Sequence, residues 1–132
     1  MIRASKIVSC AVLLFAAGST PAHHSGAMFD RSRTVVLEGT LKEYQFIAPH
    51  SWISVIATAD GKGKPERWDV EGATASRMKA QGITPERLKA GDKVTLRIHP
   101  LRDGRKGGSL IDITLADGTK MINNTTKLKV GE

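Results

Sequence analysis

Hydrophobic and polar residues alternate with a period of two along most of the chain, and the alternation is interrupted once. Residues 34–44 form a first strand with rough alternation, and Gly39 in its middle predicts a bulge or a sharp bend. In residues 50–59, Ile53, Val55 and Ala57 share one face while His50, Trp52, Ser54 and Thr58 share the other. Asp60-Gly61-Lys62-Gly63-Lys64-Pro65 reads as a hairpin loop. A third strand over 66–72 turns Trp68 and Val70 inward, and Arg67, Asp69 and Glu71 outward. The period then changes. Thr74 caps a short helix over 75–81, and Gly82 suits the left-handed position after it. Thr84-Pro85 repeats the cap signal. Alternation returns in residues 93–99, with Val94, Leu96 and Ile98 inward, and in 109–115, with Ile111, Ile113 and Leu115 inward. Asp117-Gly118 is a turn before a short sixth strand over 119–122.

Three strands, a helix and two or three more strands is the order of an OB-fold. The expected fold is therefore all-β: a small OB-fold-like Greek-key β-barrel of five to six strands, with one short helix between strands three and four. A different small barrel or a half-open sandwich is the alternative.

Composition adds a compartment. Arg3 and Lys6 precede an apolar run over 7–17 that is too short to span a membrane, and Thr20-Pro21-Ala22 supplies small residues for cleavage. Residues 1–22 are expected to be a signal peptide, 23–33 an N-terminal arm, 34–122 the barrel domain and 123–132 a polar tail. Cys10 stands ahead of most of the apolar run, where a lipid-bearing cysteine should follow it. It is the chain's one cysteine, so the mature protein has no disulfide and no thiolate metal site. The 110 residues that remain are enough for a core, because domains of this size bury roughly 60–70% of the unfolded surface. Losing Arg3 and Lys6 lowers the formal charge from +7 to +5. That balance suits anionic partners but not nucleic acid in an exported protein. No nucleophile–base pair, paired-carboxylate motif or phosphate loop is present, so the chain is not read as an enzyme.

The candidate chemistry lies with four histidines. His50 begins strand two after Pro49, and His99 ends strand four before Pro100. In an OB-like topology both reach one rim, and Glu71 at the end of strand three approaches it too. His50 and His99, with Glu71, suit a transition metal such as Zn, Cu or Ni. Trp52, Arg67, Glu71 and Arg102 are the candidate contacts for a small ligand. The alternative is that each histidine shapes a corner by bonding a loop carbonyl. Cleavage after Ala22 makes His23 the first residue, so its α-amine and ring can chelate Cu(II), and His24 adds another nitrogen. Strand one starts at the opposite rim, so the arm must fold back for His23 to join His50. The Gly107-Gly108 pair beside Arg105 and Lys106 reads as a solvated loop, with anion binding by its amides as the sharper alternative.

Ala22-His23-His24-Ser25-Gly26-Ala27-Met28-Phe29-Asp30, Pro49-His50-Ser51-Trp52, Glu71-Gly72, and His99-Pro100-Leu101-Arg102-Asp103-Gly104 with Gly107-Gly108-Ser109 resemble a family of small secreted Gram-negative bacterial proteins of unknown function. The resemblance covers nearly all of the mature chain and implies export to the periplasm. It brings no activity with it. The chain departs from the pattern at Ala48, where Asn is usual, and at Ala75, where Pro is usual. The functional expectation is a periplasmic binding protein for copper, another transition metal or a small ligand. The alternative is an interaction module or accessory subunit of a periplasmic or membrane complex.

Overall fold

The structure is a computed structural model and describes residues 26–123. It contains β1 (Val35–Gln45), β2 (Trp52–Ala59), β3 (Lys62–Glu71), α1 (Ala75–Ala80), β4 (Lys93–Pro100), β5 (Gly107–Leu115) and β6 (Lys120–Ile122). The strands form one mostly antiparallel sheet in the order β3-β2-β1-β4-β5-β6, and β3 also pairs in parallel with β5. The pairings therefore run β1 to β2 to β3 to β5 to β4 and back to β1, with β6 outside that circuit.

Alternation places the core as the sequence predicts along β2, β3 and β4. Ile53, Val55, Val70, Leu96 and Ile98 are fully buried, and meet Leu37 and Leu41 of β1. Met78 of α1 and Ile83 after it are also fully buried and belong to the same core. Thr74 caps α1 by accepting from the Arg77 amide. Gly39 pairs with Ala57 on one side and Val94 on the other. A Cβ there would overlap the Ile56 carbonyl and stand 2.6 Å from the Ala57 Cα, so glycine permits close backbone approach. The register shift of β1 falls between Leu41 and Glu43 instead.

Four expectations are corrected. The hairpin loop is shorter than residues 60–65, because Asp60 and Gly61, both at positive φ, complete the turn and β3 resumes at Lys62. Thr84-Pro85 opens no second helix. The Thr84 carbonyl closes one turn with the amides of Arg87 and Leu88. The chain then bonds back to β1 through Gly91 and Asp92, on the carbonyl and amide of Leu41. In β5 the inward phase changes. Arg97 faces Asp112 but Ile98 faces Leu110, so Ile111 is an extra residue. The bulge leaves Ile111 half-buried and buries Leu110, Asp112 and Ile113. Finally, Gly107-Gly108 is not a solvated loop. Both glycines are buried at the start of β5, opposite Asp69 and Val70 of β3.

The segment before β1 folds back. The Asp30 amide donates to the Pro100 carbonyl at 2.8 Å, and the Arg102 amide donates to the Met28 carbonyl at 2.9 Å. Phe29 bridges to Leu101 and is 5% exposed. Ser32 stabilises this turn by donating its hydroxyl to Asp30 at 2.6 Å. That bond, helped by the Ser32 amide and by Arg102 and Arg33, outweighs desolvation and holds the Asp30 carboxyl below the usual range.

Candidate functional site

Register brings the ends of four strands together. Trp52 faces Glu71, Glu71 faces Ser109, and Ser109 faces His99. His50 lies just ahead of β2, not within it. There the Ser51 amide donates to the Ala73 carbonyl, and the Gly72 amide donates to Ser51, so the corner is tied to the chain leaving β3.

His50 Nδ1 lies 3.0 Å from Glu71 Oε1, with side chains 42% and 12% exposed respectively. A carboxylate only accepts, so a neutral His50 ring carries its hydrogen on Nδ1 and keeps a lone pair on Nε2. The same pair lines a cleft of about 240 Å³ together with Gly26, Arg31, Arg77 and Asn123. Arg31 and Gly26 come from the folded-back segment, and Arg77 comes from α1. A second cleft of about 250 Å³ holds Trp52, Met28, Arg105 and Lys106. Phe29 and Glu71 wall both.

The candidate residues therefore separate. His50 and Glu71 meet in the first cleft, and Trp52 joins Glu71 in the second. His99 reaches the same rim but its Nδ1 donates to the Arg33 carbonyl at 2.9 Å, which is the corner-shaping role. Arg67 lines neither cleft: its Nε donates to Asp69 at 3.1 Å and its Nη2 to the Ser54 hydroxyl at 3.2 Å. Arg102 holds the folded-back segment, with Nε donating to the Ala27 carbonyl at 3.1 Å. His23 and His24 lie outside the described residues. Among the described residues no three His, Cys, Asp or Glu side chains are grouped to hold a metal.

Gly26, Arg31, Arg77 and Asn123 were not legible as site residues. Arg31 stands in a polar segment, Arg77 on the exposed face of a helix, and Asn123 at the start of an expected tail. Only the fold-back and the burial of Asn123 against β5 bring them together. The Asn123 amide donates to the Ile111 carbonyl at 2.9 Å, and its Nδ2 to Leu110 at 2.8 Å.

A family model described as "Family of unknown function (DUF6152)" matches residues 11–110. No curated protein and no solved structure matches the chain.

Proposed function

This chain belongs to DUF6152, a family of unknown function, and we propose that it is an exported, periplasmic binding protein whose site is the rim cleft at His50 and Glu71. Its favoured occupant is a transition metal, copper first. The scaffold is read as an OB-fold-like Greek-key barrel, which the closed circuit of five paired strands supports. Export is supported by the basic, apolar and small-residue succession of the first 22 residues.

One observation carries the reading: Gly26 lines the same cleft as His50. His24 and His23 precede Gly26 by two and three residues. At roughly 3.3–3.6 Å per residue, neither is more than about 11 Å of chain from the cleft wall. That length of chain is short enough for their rings, and the α-amine that cleavage after Ala22 creates, to enter the cleft. Nitrogen donors of this kind suit Cu(II). Glu71 on the opposite ring nitrogen is the outer partner that orients a metal-ligating histidine. His99 and Arg102 serve the site by holding the arm.

The test is metal analysis, with intact mass, of protein exported by its own leader. Stoichiometric copper on a chain that starts at His23 supports the reading. Correctly processed protein that neither carries copper nor takes it up contradicts it.

A second reading, as an interaction module, is favoured by the other cleft. Trp52 is 38% exposed and Met28 41%, beside Arg105 and Lys106, and exposed aromatic and arginine side chains are typical interface anchors. A protein that co-purifies in stoichiometric amount and is lost on Trp52→Ala would favour it.

A further inference from the structure

The first cleft carries positive charge that a metal alone does not explain. Arg31 and Arg77 both line it, and neither guanidinium has an ion-pair or hydrogen-bond partner among the described residues. Glu71 is the carboxylate among the residues lining the cleft, and it is engaged by His50. A second, independent feature lies in the same wall. Asn123 is 7% exposed, and its Oδ1 is buried with no hydrogen-bond partner. The amide is not reversed: Nδ2 donates to the Leu110 carbonyl, and turning it over would set two acceptors against each other. A buried acceptor left unpaired is unfavourable, and a ligand that donates to it relieves that cost. Phe29 and Ala73 supply apolar wall.

We infer that this cleft binds a small hydroxy- or amino-carboxylate. The carboxylate sits between Arg31 and Arg77, because a guanidinium presents paired donors that match two carboxylate oxygens. The hydroxyl or amine donates to Asn123 Oδ1 once local opening of that wall exposes the buried oxygen, and the short carbon skeleton lies on Phe29 and Ala73. A simple carboxylate or a fully deprotonated inorganic anion satisfies the arginines and leaves Asn123 unpaired. A cleft of about 240 Å³ admits a molecule of this size. The inference rests on the reading of this cleft as the binding site, not on the metal. A bound carboxylate also offsets the repulsion that a cation at His50 meets from the two arginines.

The experiment is calorimetric titration of exported, chelator-treated protein with lactate and with propionate, which differ by one hydroxyl. Wild type should bind lactate roughly five- to tenfold more tightly than propionate, the usual effect of one hydrogen bond. Arg31→Gln/Arg77→Gln should weaken both by about tenfold or more. Asn123→Ala should abolish the preference for lactate while retaining propionate binding. Asn123→Ser serves the same purpose if the alanine variant does not fold. Equal binding of the two probes by wild type, or unchanged binding by the double variant, overturns the inference. Copper is titrated separately on the same wild-type protein. Copper uptake without lactate binding overturns this inference and leaves the metal reading standing; lactate binding without copper uptake does the reverse.

Discussion

His50 Nδ1 lies 3.0 Å from Glu71 Oε1, so the corner that precedes β2 is joined to the last residue of β3. The contact engages Nδ1 and leaves Nε2 as the ring nitrogen that can bind a ligand. Outer-shell carboxylates on metal-ligating histidines are typically worth about 10–100-fold in metal affinity. Glu71→Ala should therefore weaken copper binding by that factor in a competition titration, with circular dichroism unchanged. An unchanged affinity would mean that His50 does not ligate.

The arm is packed against the domain through Phe29. Its side chain is 5% exposed, and removing a buried phenylalanine typically costs about 3–5 kcal/mol. Phe29→Ala should lower unfolding free energy by about that amount in urea. A loss of less than about 1 kcal/mol would show that the arm does not pack against the domain, and would remove the support for a joint site.

The chain has a single tyrosine, which makes its titration readable. Burial raises the Tyr44 phenol to about 12, although the Ser51 hydroxyl pulls it down somewhat, and the Tyr44 hydroxyl donates to the Ile83 carbonyl at 2.9 Å. A raised phenol favours folding at pH values below its unfolded value of about 10, and that contribution is lost as pH rises toward 12. Phenolate absorbance of the folded protein should therefore have its midpoint near 12, and Tyr44→Phe should flatten the alkaline fall in Tm. A midpoint near 10 would mean an exposed ring.

Asp112 contributes on the acid side. Burial alone would raise its carboxyl, but hydrogen bonds and charge from Arg97 and Lys120 prevail and hold it below the usual range. Arg97 Nε donates at 2.8 Å, and Lys120 Nζ stands at 3.3 Å. A depressed carboxyl stabilises the fold above its unfolded value of about 3.9, and that stability is lost as pH falls through the lower folded value. Tm should fall less steeply below about pH 4 in Asp112→Asn than in wild type. Parallel curves would show that the pair contributes nothing.

Much of this fold was legible because one buried face per strand leaves a period-two trace. Ile53, Val55 and Ala57, like Val94, Leu96 and Ile98, point where alternation says they should. Legibility failed where backbone geometry broke the period. Ile111 occupies a bulge, and the pattern around it cannot announce which residue is extra. Gly108 was misread for the opposite reason. It is glycine because a Cβ would overlap the His99 carbonyl and stand 2.8 Å from Ile98 Cδ1, a close approach that only the folded pairing reveals. The site divided in the same way. His50 and Glu71 were found from strand order and face. Arg31, Arg77 and Asn123 were not, because their meeting depends on a segment folding back onto Leu101 and on a residue beyond β6.

The most direct test is Cu(II) titration of the exported protein starting at His23, beside His50→Ala and a His23→Ala/His24→Ala variant. The account expects one tight copper per wild-type chain, weakened about tenfold or more in His50→Ala and further in the double variant, since the first loses one ring nitrogen donor and the second loses two. Equal affinity in all three would contradict it.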